Sequence, residues 1–236
     1  MATSPIDLHW NLTTLKEGTL EVVTYPTSAL PTLDNDFFHI TDEYIEFWAP
    51  VAGSPTAKSS KTRTELREYL PDGSGEQNWL ATGGNHSMGA SFTVLDVPDS
   101  VEKPSVFVGQ IHADDGDSPL LKFKYEHKNG TGRMIISYRP SQDIGPSDFE
   151  IFPGIPLGTR IQYYVKVSST GQLSAYVEVN KDRRTFTRDL KDWVAIDPTQ
   201  KFYFKAGVYN NAEPSTSTGA DDGSRARFYK LTTTHA

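Results

Sequence analysis

An all-β fold, an antiparallel sandwich or barrel spanning residues 1–236 as one domain, is what this sequence predicts. Three observations point to it. Alternating runs rich in β-branched and aromatic residues recur at 44–48, 62–69, 91–97, 106–112, 120–127, 134–138, 160–167, 173–179, 202–209 and 226–232. Turn chemistry separates them, with Asn129-Gly130 and Ser169-Thr170-Gly171 as hairpin signals. Helical patterning is scarce: a turn or two is expected at 7–13 and at 189–195, too little for a helical layer.

In chain order, 44–48 (YIEFW) alternates apolar and polar residues, and 53–60 (GSPTAKSS) then reads as a connection. The run at 62–69 follows, then 91–97 (SFTVLDV), 106–112 (VFVGQIH) and 120–127 (LLKFKYEH). This last run turns through Asn129-Gly130 into 134–138 (MIISY). The runs 160–167 (RIQYYVKV) and 173–179 (LSAYVEV) form a second hairpin across Ser169-Thr170-Gly171. After 202–209 (FYFKAGVY) comes a second loop-like stretch, 212–224 (AEPSTSTGADDGS), and 226–232 (ARFYKLT) completes the series. Both loop stretches border strands with unusual polar patterns, so each is either a lid or a plain exposed connection.

The hydrophobic fraction of 36% suffices for a sizeable core, and no apolar run approaches the length needed to cross a bilayer. The formal charge of −7 argues against a nucleic-acid partner, which would favour a basic face. It leaves room for a locally basic cleft, because physiological salt screens charge over about 8 Å. With no cysteine, disulfides and thiolate metal sites are excluded. Met1-Ala2-Thr3-Ser4-Pro5 lacks the order of a secretion signal, which fits either a cytosolic protein or a mature secreted one restarted at methionine.

Residues two apart on a strand share a face. On that rule Arg63, Glu65, Arg67 and Tyr69 stand together, with Thr64 and Leu66 behind them. In VFVGQIHAD, Gln110 and His112 continue a row begun by Val106 and Val108, with Phe107, Gly109 and Ile111 opposite. In KFYFKAGVYNN, Lys201, Tyr203, Lys205, Gly207, Tyr209 and Asn211 form one row and Phe202, Phe204, Ala206 and Val208 the other. Each strand thus pairs a core face with a face of Arg, Gln, His, Lys and Tyr, groups suited to planar anions and to proton transfer. If the three strands are neighbours, they line a cationic groove in which Glu65 holds both flanking guanidinium groups.

Such a groove suits β-elimination in a polyuronate. The C5 proton leaves and the C4–O bond opens, once donors such as Arg and Gln neutralise the C5 carboxylate and stabilise the enolate-like intermediate. A base takes the proton and an acid supplies one to the departing oxygen, roles that His112 and Tyr209 can fill without a metal.

Arg63-Thr64-Glu65-Leu66-Arg67-Glu68, Gln110-Ile111-His112 and Tyr203-Phe204-Lys205-Ala206-Gly207-Val208-Tyr209-Asn210 resemble, in this order, the three signature segments of the alginate lyases of polysaccharide lyase family 7. The resemblance implies a single-domain β-jelly-roll with a concave substrate groove and no cofactor. It implies Arg63, Gln110, His112 and Tyr209 as the catalytic group, and Glu65, Arg67, Lys205, Tyr203 and Asn211 as sugar-binding residues. Asn211 stands where the family usually has glutamine, which bears on a local subsite. Isoleucine in the middle of the second segment tends in the family to accompany activity on guluronate-containing blocks, so Ile111 leans the expectation that way. In guluronate the C5 hydrogen and C4 oxygen lie on opposite sides of the ring, which assigns His112 as base and Tyr209 as acid. In mannuronate they share a side, and Tyr209 alone could serve. The expected partner is alginate, with no nucleic acid and no membrane; the expected protein is a monomer, secreted because its presumed substrate is a large polymer.

A lyase on another polyuronate such as glucuronan, and a non-catalytic carbohydrate-binding jelly roll, are the competing expectations. Placing Gln110, His112 and Tyr209 together disfavours a pure binder, which needs no proton acceptor and donor. A glycoside hydrolase would need two carboxyl groups across the bond, and the groove strands offer only Glu65. Asp114-Asp115-Gly116-Asp117 and Asp221-Asp222-Gly223 lack EF-hand spacing and read as solvated turns, and no metal site is expected. Asn11-Leu12-Thr13, Asn85-His86-Ser87 and Asn129-Gly130-Thr131 are sugar-attachment triplets that matter only in a glycosylating source. Trp10, Trp48, Trp79 and Trp193 read as core or rim aromatics.

Overall fold

A computed structural model describes residues 6, 9–116, 118–214, 218–219 and 221–236. Its strands, in chain order, are β1 (Trp10–Leu15), β2 (Val22–Tyr25), β3 (Asp34–Asn35), β4 (Phe38–Ile40), β5 (Ile45–Pro50), β6 (Arg63–Glu68), β7 (Trp79–Leu80), β8 (His86–Asp96) and β9 (Ser105–Ala113). They continue with β10 (Pro119–Lys128), β11 (Thr131–Tyr138), β12 (Ser147–Ile155), β13 (Ile161–Val167), β14 (Gln172–Val179), β15 (Asp182–Asp189), β16 (Lys201–Asn210) and β17 (Gly223–His235). A 3₁₀ turn (Thr27–Thr32) and one short helix, α1 (Lys191–Ile196), complete the described elements.

The strands form two antiparallel sheets stacked as a jelly-roll sandwich. One runs β12-β11-β10-β9-β16-β6-β1-β2, with β7 beside β16; the other runs β15-β14-β13-β8-β17-β5-β4-β3. Alternation explains the layering, since each strand turns its apolar row inward. Trp10, Phe123, Phe202 and Phe204 from the first sheet share one core with Phe47, Phe92, Tyr163 and Phe228 from the second. Tyr163 stacks on Phe123 with ring centroids 4.3 Å apart and so joins the layers.

Both expected hairpins form. Lys128 pairs with Thr131 around Asn129 and Gly130, whose φ values of 55° and 77° suit a two-residue turn. Gly171, at φ 74°, turns β13 into β14. The short helix expected at 189–195 is present as α1.

The expected helical turn at 7–13 is corrected. Positions 7 and 8 lie outside the described residues, and from Trp10 onward the chain is strand β1, paired with β2 and β6. Trp10 and Leu12 point inward while Asn11 and Thr13 are half-buried, a period of two that a helix would not satisfy. The strands that the alternation pattern does not announce are mostly at sheet edges. β15 (DRRTFTRD) buries only Phe186, and β12 (SDFEIFPGI) contains Pro153 and Gly154, so neither has a strong apolar signal.

A second correction concerns β9. The expected row Val106-Val108-Gln110-His112 is broken, because Val106 and Val108 both lie in the core. Phe107 instead pairs with Tyr209 and shares its face. The cause is a β-bulge at Val108: Gly109 pairs with Phe123 and Phe107 with Lys124, leaving Val108 as the extra residue. Tyr163 stabilises the bulge by donating its hydroxyl to the Val108 carbonyl at 3.2 Å. Gly109 makes room for it, since a β-carbon there would lie 2.5 Å from that hydroxyl.

Candidate active site

Adjacent pairing of β6, β16, β9 and β10 sets the expected residues in cross-strand rows. Arg63, Tyr209 and Phe107 form one row, continued by Lys124. Arg67, Lys205, Gln110 and Lys122 form another, and Tyr203 with His112 a third. Between the first two rows Glu65 pairs with Gly207, which has no side chain. Gly207 sits at φ 135°, and a β-carbon there would lie 2.6 Å from the Thr64 carbonyl oxygen.

The surface above these rows is a cleft of about 290 Å³, lined by Arg63, Gln110, His112, Tyr203, Lys205 and Tyr209 together with Thr56, Lys58, Asp114, Gly116, Pro119 and Lys122. All four residues expected to form the chemical centre therefore meet in one place, as do Tyr203 and Lys205. Glu65 lies beneath them, 2% exposed. Arg67 and Asn211 flank the cleft without lining it.

Glu65 organises the floor. Its carboxylate accepts from Arg63 at 3.2 Å, from the Lys205 ammonium at 2.5 Å and from the Gln110 amide. The Gln110 bond crosses over β16 at the level of Gly207, where no side chain obstructs it. Burial alone would raise this carboxyl, but Lys205 and Arg63 outweigh it and hold the group below the ordinary range. The expected pairing of Glu65 with both arginines is thus half realised. Arg67 turns away to Glu76 at 2.9 Å and Asn78 at 2.6 Å, with its guanidinium 4.0 Å from the Tyr203 ring centroid.

His112 stacks on Tyr203 with ring centroids 5.3 Å apart, and its Nδ1 lies 2.8 Å from the Ala113 carbonyl. A carbonyl only accepts, so Nδ1 carries the proton and Nε2 keeps a free lone pair. Burial brings the imidazole down to about 4, with Lys205 and Arg63 adding to the effect, so it is neutral at ordinary pH. Burial also pushes the Tyr203 phenol up to about 12, so it stays protonated.

Tyr209 is held on several sides. The Arg63 guanidinium lies 4.1 Å from its ring centroid, Phe107 packs at 5.6 Å, and its hydroxyl is 3.1 Å from Ser59 Oγ. The 53–60 stretch therefore reaches the site, with Thr56 and Lys58 in the cleft wall. Ser60 hydrogen-bonds Glu213 at 2.6 Å, which ties this loop to the start of the 212–224 stretch.

Lys122, Phe107 and Ser59 are site residues that the three-motif pattern does not mark. Lys122 sits 4.0 Å from the Phe107 ring centroid, and burial with Lys61 nearby lowers its ammonium to about 8. Its signal was present in the alternation of LLKFKYEH, where Lys122 and Lys124 share a face. Beyond it lies a recess lined by Lys103, Lys124, Glu126, Arg133, Ile135, Asp148, Glu150 and Asn211, in which Lys124 is ion-paired with Asp148 and Glu126, and Arg133 with Glu126 and Glu150. Asn211 accepts there from Lys61 at 2.8 Å.

The profile of a family described as alginate lyase matches residues 6–235. A curated alginate lyase of Klebsiella pneumoniae is 28% identical, the match covering 93% of this chain and 84% of that protein. The crystal structure of an alginate lyase from Pseudomonas aeruginosa superposes with a TM-score of 0.84 at 32% identity, covering 98% of this chain and all of the other. Alginate lyase A1-II', a member of polysaccharide lyase family 7, superposes at 0.75 with 30% identity over 99% of each chain. A further crystal structure of that enzyme holds the product GGG; it superposes at 0.75 with 32% identity over the whole of both chains. A match that spans nearly the whole sequence, together with this fold, leads to one conclusion: the chain belongs to the alginate lyases of polysaccharide lyase family 7, and is a polysaccharide lyase.

Proposed function

We propose that this protein is an endo-acting alginate lyase that opens the 4-O-glycosidic bond by β-elimination, leaves a 4,5-unsaturated uronate end and favours guluronate-containing blocks. Residues 1–236 act as one catalytic domain, without metal or cofactor, as a secreted monomer. The observation that carries the reading is the meeting of Arg63, Gln110, His112 and Tyr209 in one cleft, with His112 Nε2 unprotonated.

In this mechanism Arg63 and Gln110 face the C5 carboxylate of the sugar and neutralise it. Both are steadied from below by Glu65, and the Arg63 Nε–H has no partner of its own among the described residues. With the carboxylate quenched, the C5 proton becomes acidic enough for His112 Nε2 to remove. Tyr209 protonates the departing C4 oxygen from the other side of the ring. Lys205 and Tyr203 border the same sugar, while Lys122 meets a neighbouring carboxylate and Asn211 lies beyond it. A cleft that extends past the reacting sugar to Lys122 supports attack within the chain. Ile111 is wholly buried, so any influence on block preference passes through the packing of β9.

The test follows absorbance of the new C4=C5 double bond on alginate, polyguluronate, polymannuronate and glucuronan. Polyguluronate or mixed alginate should react fastest, with products of falling length from the first minutes. Binding without absorbance on any polyuronate would overturn the reading.

A further inference from the structure

We propose that Ser59 is a positioning residue for the reaction, a hydroxyl that turns toward Tyr209 as the phenol gives up its proton. The inference rests on the reading of Tyr209 as the proton donor.

Valence at Ser59 Oγ leads to it. This oxygen accepts from the Lys61 backbone N–H at 3.1 Å, which uses one lone pair. One proton and one lone pair remain, and two neighbours compete for them: the Lys61 carbonyl at 3.1 Å and the Tyr209 hydroxyl at 3.1 Å. The carbonyl only accepts. While Tyr209 is a phenol, therefore, Ser59 donates to Lys61 and receives from Tyr209. When the phenol proton passes to the departing C4 oxygen, the resulting phenolate only accepts. The Ser59 proton then swings to it by a rotation about one bond, with no movement of the chain. A hydrogen bond to a charged acceptor is stronger than one between neutral groups, so the swing favours the product side of the transfer.

The loop is fixed well enough for this. Ser59 is held by both the N–H and the carbonyl of Lys61, and the adjoining Ser60 is bonded to Glu213. Charged and titratable groups lining the same cleft are Arg63 on β6, Lys205 on β16, the neutral His112 on β9, Asp114 just after β9, Lys122 on β10 and Lys58 on the loop. All of them remain when Ser59 is changed.

The experiment compares wild type, Ser59→Ala, Ser59→Thr and Tyr209→Phe on polyguluronate, with kcat and KM measured across pH by double-bond absorbance. Loss of a hydrogen bond to a charged group predicts a fall in kcat of about 10- to 100-fold for Ser59→Ala, with KM changed less than about twofold. The alkaline limb of the kcat profile should move to higher pH, because the phenolate is harder to form without its donor. Ser59→Thr keeps the hydroxyl and should restore both. An unchanged kcat and alkaline limb in Ser59→Ala, or a change confined to KM, overturns the inference. Tyr209→Phe separates the two readings: if it is inactive while Ser59→Ala is normal, only the Ser59 role falls. If Tyr209→Phe is fully active, the assignment of the proton donor falls with it.

Discussion

The Tyr163 hydroxyl reaches across the sandwich to the Val108 carbonyl, 3.2 Å away, and occupies the space that a side chain on Gly109 would take. This contact fixes the bulge that turns Phe107 outward beside Tyr209. Gly109→Ala should therefore destabilise the fold by about 1–3 kcal/mol through overpacking. Tyr163→Phe should cost about 1–3 kcal/mol by leaving a buried carbonyl unpaired. Urea denaturation of the two single variants and the double variant measures this. Removing the hydroxyl takes away the closest contact but leaves ring carbon Cζ 2.7 Å from an added β-carbon, so the double variant should lose only slightly less than the sum; a double variant that loses more than the sum would refute the steric link.

Tyr209→Phe removes a single oxygen from a ring that is otherwise held by Arg63 and Phe107. If Tyr209 is the general acid proposed above, turnover on polyguluronate should fall by at least about 100-fold. Binding of an alginate oligosaccharide, measured by calorimetry, should be little changed.

Glu65 is the shared acceptor for Arg63, Lys205 and Gln110. Glu65→Ala should destabilise the protein by about 3–5 kcal/mol, since it strands buried charges. Glu65→Gln keeps the volume and should lose less stability, yet still lower kcat, because Arg63 and Gln110 are no longer held toward the sugar. Thermal melting and kinetics on the same preparations distinguish the two effects.

Burial brings both His86 and His112 from an ordinary value of 6.5 to about 4 in the folded protein. The unfolded chain therefore takes up these protons first. Their contribution to stability is complete above pH 6.5 and is lost progressively as pH falls to about 4. The melting temperature should drop across that window and keep dropping below it, as Glu65 and Glu68, both held below the ordinary carboxyl range, become protonated. A flat profile between pH 6.5 and 4 would count against the buried neutral imidazoles.

Lys122 stands in the cleft wall, in the same cross-strand row as Gln110 and Lys205. Lys122→Ala should raise KM on polyguluronate several-fold and leave kcat within about twofold, because its charge acts on binding. The variant should also show a shallower dependence of KM on salt than wild type. Equal salt dependence in the two proteins would remove Lys122 from the set of carboxylate contacts.

Much of this site is legible in the sequence because strands obey a period of two. That rule alone puts Arg63, Glu65 and Arg67 together on one face of β6 and Gln110 and His112 together on one face of β9, and the structure agrees at each of these positions. It fails at Phe107, where an inserted residue reverses the phase, and a bulge has no signature in VFVGQIH beyond its glycine. It also cannot give cross-strand register, which decides that Glu65 meets Lys205 and Gln110 while Arg67 turns to Asn78. Ser59 is invisible for a different reason: a serine in a connection acquires meaning only when the loop is seen to lie against Tyr209. The helical turn expected near the start fails because pairing with β6 decides the conformation of Trp10 and Leu12, and local propensity does not record that partner.

The sheet that does not carry the cleft has β15 as one border, with Asp182, Arg183, Arg184, Arg188 and Asp189 along eight residues. A bare strand border offers open backbone groups to any other chain. Here a second molecule docking its own β15 antiparallel would have to crowd arginines together and strip them of water. The border thus guards against fibre-like stacking. Replacing Arg183 and Arg184 with valine should make concentrated solutions turn cloudy on storage while the cleft on the other sheet keeps its chemistry.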